Sequence, residues 1–591
     1  MLRSEVEKQY TWDLSKFYKN NKLWFDDYEN LKKFVGKFKV FKGKLGDKQQ
    51  LKKYLEINKN CSMLITKLYM YASNNLNTCL SNKTFNEMTT QLQGLSTLIA
   101  QEGSFAEPEL LSYSDSYLKE LQNDEDFKNN KFWFKELLRD KKHVLSEKEE
   151  KLLGGVQNFA GDCSDVFDSL ADVDFVFDDA LDSKGNPHEV TDAKYPVLLK
   201  DKDRTLRENA YKSFYGRYKS FNNTITLNYI SNLKSDLFFA KARNYKNTFD
   251  SALTGSNIPL KLYEMLKKQV RLNLPLSKKY YGLRKKALKL DKLEYYDLRV
   301  SVSDSFDRKF TFDEAKQIVL EALKPLGEEY VNTVKRAFSE RWIDVYPTKD
   351  KRSGGYEIGM YGTTPLILLN FVGVVDDVFT LAHELGHAMH TFYSNKNQPF
   401  ETCDYTIFLA EIASTFNEVL LTKYFLNNAK TSQEKLFFLD KFINLFNSTI
   451  FTQMQYSEFE EFAHNLIANN LPISKEILNE EYFRLNAIYN AGVNNDDLKK
   501  YHWSIVPHFY RSFYVYKYAT GLISAVTLAS NVLNNKPGAL KKYFKFISAG
   551  GSDYSTNILK RAGVDLTTEE PYKVAFAELK AAINQMEKLI K

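Results

Sequence analysis

The stretch Thr380–His390, "TLAHELGHAMH", holds three of the chain's eight histidines, and its reading decides what the surrounding fold must be. On an α-helix, residues four apart differ by about 40° around the axis and about 6 Å along it, so His383 and His387 can turn two imidazoles toward one ion. The spacing works only if the segment is helical. "VFTLAHELGHAMHTFY" runs on without proline, and Asp376 or Asp377 is placed to cap its start. Glu384 follows the first histidine, where it can stand beside a metal without binding it and take a proton from a water there.

A catalytic zinc takes three protein ligands and keeps one position for water. His390 lies about 10 Å farther along the axis than His383, too far for the two to share an ion at bond lengths of about 2 Å. The astacin-like continuation His-x-x-Gly-x-x-His also fails, because His390 stands at its glycine position and Tyr393 at its histidine position. The better candidate lies downstream in the helical stretch "FLAEIASTFNEVLL". Glu411 sits there among Leu409, Ala410, Ile412 and Ala413, and burying a carboxylate in such company is costly unless it is paired or bound to metal. In isolation Glu411 reads more readily as an acid on a helix surface; the unfilled third position is what favours it as a ligand. Glu418, seven residues on, is a weaker candidate to orient a histidine.

Before the histidines, "RSGGYEIGMYGTTPLILLNF" joins a glycine-rich loop to a strand. A strand bordering the metal helix can take an extended peptide by edge pairing, although an ordinary hairpin has the same pattern. After them, "WSIVPHFYRSFYVYKYATGLISA" places His508 behind a proline and spaces Tyr510, Tyr514 and Tyr518 by four, one stripe if the stretch is a single helix. Such stripes commonly pack cores, but imidazole and phenol are also suitable donors to an oxyanion.

The rest of the chain supports a mainly α protein. There are 13 prolines in 591 residues, and apolar residues recur at three and four in "LKKYLEINKNCSMLITKLYMYASNNL", "EAKQIVLEALKPLGEEYVNTVKRAF" and "EPYKVAFAELKAAINQMEKLI". Strand signal is local: "DVDFVFDDALDSKGNPHEVT" alternates around the turn "SKGN", and a β-rich run precedes the histidines. A change of texture near Thr191–Arg207 divides the chain into an N-terminal helical region, 1–190, and a main domain, 191–591. A net charge of +7 is spread among interleaved acids and carries no nucleic-acid module, so no nucleic-acid partner is expected. No apolar run approaches the length of a membrane span, and Cys61, Cys79, Cys163 and Cys403 are scattered as reduced thiols would be, which points to a cytoplasmic protein with no membrane partner.

Taken together, "HELGHAMH", "AEIASTFNE", "KRSGGYEIGMYGTTPLILLNF" and "IVPHFYRSFYVYKYATG" resemble the oligoendopeptidase F branch of the thimet oligopeptidase (M3) metallopeptidases. "EKQYTWDLSKFY" and "FFAKARNYKNTFDSAL" extend the resemblance over most of the chain. It implies a two-lobed helical molecule with a deep central channel and a small sheet beside the active-site helix, one Zn2+ per chain, and short peptides as substrates. The family's ligands map to His383, His387 and Glu411, its catalytic glutamate to Glu384, and its substrate-contacting histidine and tyrosine to His508 and Tyr518, with Tyr514 or Tyr516 as a further phenol. A helical metallocarboxypeptidase can carry the same ligands. A peptide-binding scaffold with an idle metal site would be expected to show a broken motif, and here Glu384 and all three ligands are present.

Overall fold

Where apolar residues recur at helical spacing, the chain forms helices, several of which begin at a short polar side chain that caps them. In the computed structural model, which describes residues 1–303, 306 and 308–590, Asp47 caps the helix Lys48–Thr78 by accepting from the Gln49 and Gln50 N–H groups, and Leu51, Tyr54, Leu68 and Ala72 are buried along it. The C-terminal stretch is the helix Glu570–Leu589, with Pro571 in its first turn, where a missing N–H costs nothing. The stretch 314–338 is not one helix. It divides into Phe312–Ala322 and Gly327–Ser339 around a 3-10 turn at Lys324–Leu326, because Pro325 cannot donate to the preceding turn and Gly327 takes a φ of +82°.

The expected hairpin is present as Ala180–Leu181 antiparallel to Pro187–His188. Asp182 holds its turn by accepting from the Lys184 and Asn186 N–H groups, and Gly185 supplies the φ of +83°. A second, three-stranded sheet has Leu366–Leu368 at its centre, parallel to Ile343–Asp344 and antiparallel to Tyr356–Ile358, with Glu357 opposite Ile367. The central strand is buried throughout. Tyr356–Ile358 is an edge strand of this sheet.

The chain folds into two compact units, each assembled from three separated segments. One comprises Met1–Val144, Asp307–Tyr424 and Asn531–Gly563; the other comprises Leu145–Phe306, Phe425–Ser530 and Val564–Lys591. The residue 190/191 boundary falls within a segment of the second unit, so the compact units follow a different division from the one expected from texture.

In the first unit, the N-terminal helices form one core whose buried members include Trp24, Leu31, Leu68 and Phe134, and this core reaches Leu366 and Leu368 of the sheet. Asp344 lies on the sheet's other edge strand. It is buried, pairs with the buried Lys351 ammonium at 2.8 Å, and accepts from the Arg3 guanidinium at 2.9 Å, so the start of the chain is tied to the strand that flanks the centre. In the second unit, Arg284 is buried, and its two terminal nitrogens donate to Asp440 at 2.9 Å and to the carbonyls of Asp297 and Val300. Among the described residues, no helix is long and apolar enough to cross a membrane, and all four cysteines are free.

Candidate active site

The histidine stretch lies on the helix Val375–Asn397 in the first unit. Neither Asp376 nor Asp377 is its N-cap, because the helix begins a residue earlier, at Val375. Asp377 instead reaches back from the first turn, and one of its oxygens accepts from the Val372, Gly373 and Val374 N–H groups. That one carboxylate satisfies three amides of the turn leading into the helix, the N-cap residue's own among them, and its charge suits the positive end of the helix.

The second helix, Ile407–Asn428, crosses close by. Gly386, between the two histidines, is what permits this: a Cβ there would lie 2.5 Å from the Ala413 carbonyl oxygen and 2.5 Å from the Ser414 Cα. The Asn417 side chain fastens the crossing by donating to the Ala382 carbonyl at 3.1 Å. As a result, Glu411 meets both histidines. His383 Nε2 and His387 Nε2 are 3.2 Å apart, and Glu411 Oε2 lies 3.4 Å from the first and 3.5 Å from the second. Ligands of a tetrahedral ion with bonds of about 2.0–2.1 Å stand about 3.3 Å from one another, so three donors at these separations fit a zinc-sized ion.

The surroundings tune each donor. Glu418 Oε1 lies 2.5 Å from His383 Nδ1, which leaves Nε2 of that ring available to an ion at the donor cluster. Burial alone would lower the His383 pKa, but hydrogen bonds to Glu411 and Glu418 outweigh it and raise it to about 10. Hydrogen bonds from His383 and His387 hold Glu411 well below the usual carboxylate range, against the effect of burial. Glu384 is 7% exposed, and its carboxyl is pushed up by burial, an effect that the nearby His383 and His387 oppose. The backbone N–H of Glu357, on the edge strand, also opposes the rise. The strand comes this close because position 355 is glycine: a Cβ there would lie 3.1 Å from Thr380 Cγ2 and 3.6 Å from Glu384 Oε1.

His390 lies outside the donor cluster. It is fully buried, its ring stacks on Tyr405 at 3.6 Å between centroids, and neither ring nitrogen meets a protein hydrogen-bond partner. Burial, aided by the His387 charge, lowers its pKa to about 3.

Sequence reasoning missed Glu357. Its carboxyl is pushed up to about 8, first by burial and then by the charges of Glu384 and Asp404. The available signal was an acid at the middle of a short strand bracketed by glycines, "GYEIG".

His508, Tyr514 and Tyr518 belong to the second unit. The expected single helix does not form: a 3-10 turn, Pro507–Tyr510, is followed by non-helical residues, and a helix begins only at Tyr516. Tyr510 leaves the stripe, packs on Phe167 and accepts from Asn228. The other two tyrosines come together with the histidine. Tyr518 Oη lies 3.3 Å from His508 Nε2, and the Tyr514 ring packs 6.1 Å from His508 and 5.3 Å from Tyr518. All three are partly exposed, whereas Tyr516 is buried against Tyr263. Burial and the Arg511 charge lower the His508 pKa, favouring its neutral form.

Comparison with known proteins identifies the family of the chain. The model of "Peptidase family M3" matches residues 197–578, and that of "Oligopeptidase F" matches residues 109–177. The chain is 35% identical to oligopeptidase PepF of Bacillus subtilis, over 100% of this chain and 88% of that one. It is 36% identical to group B oligopeptidase PepB of Streptococcus agalactiae, over 100% and 98%. Among solved structures, a chain from Chlamydophila abortus superposes with a TM-score of 0.94 at 33% identity, covering 100% of this chain and 99% of that one. Oligoendopeptidase-F from Enterococcus faecium does so with a TM-score of 0.73 at 31% identity, covering 96% and 99%. The chain therefore belongs to the oligoendopeptidase F branch of peptidase family M3 and is a metallopeptidase.

Proposed function

We propose that the protein is a zinc-dependent oligoendopeptidase that cuts internal bonds of short peptides, with His383, His387 and Glu411 as ligands of one Zn2+ and Glu384 as general base. The observation that carries this reading is the triangle of donor atoms, 3.2–3.5 Å on each side, with the buried Glu384 on the same helix as the two histidines. A zinc ion held there would supply a Lewis acid that acidifies a water and polarises a scissile carbonyl. Glu384 accepts the water's proton, and its raised pKa makes it a better base and then a competent donor to the leaving amine. The edge strand Tyr356–Ile358 offers backbone groups to an extended peptide. His508, held in its neutral form, and Tyr518, both partly exposed and already within hydrogen-bonding range of each other, are assigned as donors to the oxyanion. The free cysteines and the absence of a membrane-length helix among the described residues support a cytoplasmic protein acting on soluble peptides.

A quenched peptide with a blocked C-terminus tests the reading. It should be cut internally, cutting should stop with chelator and return with zinc, and Glu384→Gln should lower kcat by about 10²–10⁴-fold while retaining zinc. A carboxypeptidase would leave the blocked peptide intact. Near-normal turnover by zinc-loaded Glu384→Gln would sink the assignment of the base.

A further inference from the structure

The turn that brings Tyr514 and Tyr518 to His508 is held in a conformation that its sequence does not favour. Phe513, within that turn, has a φ of +53°. This left-handed region is uncommon for a bulky residue, and such strain persists only where neighbours hold it. Two straps do so here. The Phe513 N–H donates to Glu460 Oε1 at 2.5 Å, and the adjacent Ser512 hydroxyl donates to Asp236 at 2.5 Å. Asn232 also donates to Asp236, and His464 Nε2 lies 3.3 Å from the Ser512 oxygen. The Phe513 ring is buried between Phe249 at 4.9 Å and His464 at 4.7 Å. Glu460 and His464 sit on the helix Thr452–Ala468, Asp236 on Asn222–Ala242 and Phe249 on Thr248–Gly255, so three helices grip two residues of one turn.

Glu460 has no role in binding metal or moving protons in the reaction proposed above. It is fully buried, and its second carboxyl oxygen meets no protein partner. Leaving a polar atom so placed is costly, and a side chain that served only to fill space would do so better as leucine. Burial pushes its carboxyl well above the usual carboxylate range, which favours the uncharged form and makes glutamine its close mimic.

We infer that Glu460 and Ser512 are positioning residues for peptide hydrolysis: by holding Phe513 in the left-handed turn, they fix Tyr514 and Tyr518 against His508. This rests on the reading that His508 and Tyr518 serve the reaction.

The test is a double-mutant cycle on the zinc-loaded enzyme with the quenched peptide, reading kcat and KM separately together with zinc content. Glu460→Leu should lower kcat by about tenfold with zinc content unchanged, Glu460→Gln should stay within about twofold of wild type, and Glu460→Leu should add no further loss in a Tyr518→Phe background. If Glu460→Leu does not fold, Ser512→Ala runs the same cycle, with an expected loss of about threefold that vanishes in Tyr518→Phe. Equal losses in both backgrounds, or wild-type kcat in Glu460→Leu, would overturn the inference. Wild-type kcat in Tyr518→Phe alone would instead overturn the role of Tyr518, and with it the reading on which the inference rests.

Discussion

The candidate metal pocket and the His508–Tyr518 pair are built by opposite devices. In the pocket, two uninterrupted helices do the work: four-residue spacing aligns His383 with His387, and the absence of a side chain at Gly386 lets Glu411 come within 3.5 Å of both. At the pair, the helix is broken, and a strained turn gathers residues that periodicity would have arrayed along one face. Regular backbone fixes donors cheaply, since each helical residue is already held by its neighbours. A turn has to be gripped from outside, here by Glu460, Asp236 and the rings around Phe513.

The largest effect that would break this contrast comes from filling the helix crossing. Gly386→Ala places a methyl 2.5 Å from backbone atoms of the facing helix, which have no side-chain freedom with which to yield. A loss of about 3 kcal/mol in stability is expected, together with a fall in zinc affinity as Glu411 is pushed from the histidines. Thermal unfolding and metal competition measure the two. Wild-type zinc affinity in Gly386→Ala would mean that the close crossing does not set the pocket.

A smaller effect isolates orientation from ligation. Glu418→Gln keeps the shape but weakens the hold on His383 Nδ1, and zinc affinity should fall by about 10–100-fold with the fold intact. Unchanged affinity would remove Glu418 from the design.

The same contrast explains how much of the molecule was legible in the sequence. The helical pocket was legible because its residues obey one period: the His383–His387 spacing, the need for a third donor and the candidacy of Glu411 and Glu418 follow from helix geometry and the chemistry of burial. The hairpin was legible through its turn residues. The turn at Arg511–Val515 was not, because no glycine or proline marks it and phenylalanine is among the last residues expected at positive φ. Its cause lies in Glu460 and Asp236, distant in sequence and ordinary on their own helices. Pro325 did mark the break in the stretch 314–338, but the apolar period on both sides hid it. Glu357 was missed because a three-residue strand carries too little pattern to place an acid beside Glu384.

The finest test lies on the pocket helix itself, where His383 and His390 share one backbone but face different surroundings. His383 is lifted to about 10 by carboxylates, while His390, walled by Tyr405 and Phe546, is lowered to about 3. A histidine with a depressed folded pKa stays neutral in the folded chain, whereas the unfolded chain takes up its proton below about pH 6.5. Its contribution to stability is therefore full above pH 6.5 and is lost progressively as the pH falls toward 3, amounting to about 2 kcal/mol by pH 5. Because neither ring nitrogen of His390 meets a protein hydrogen-bond partner, His390→Phe forfeits no such bond and keeps the stack on Tyr405. The variant should lose less stability than wild type between pH 7 and pH 5, seen by circular dichroism as a smaller drop in the thermal midpoint. Parallel pH profiles would mean that His390 takes up its proton without unfolding, and that the wall behind the pocket is wetter than its burial implies.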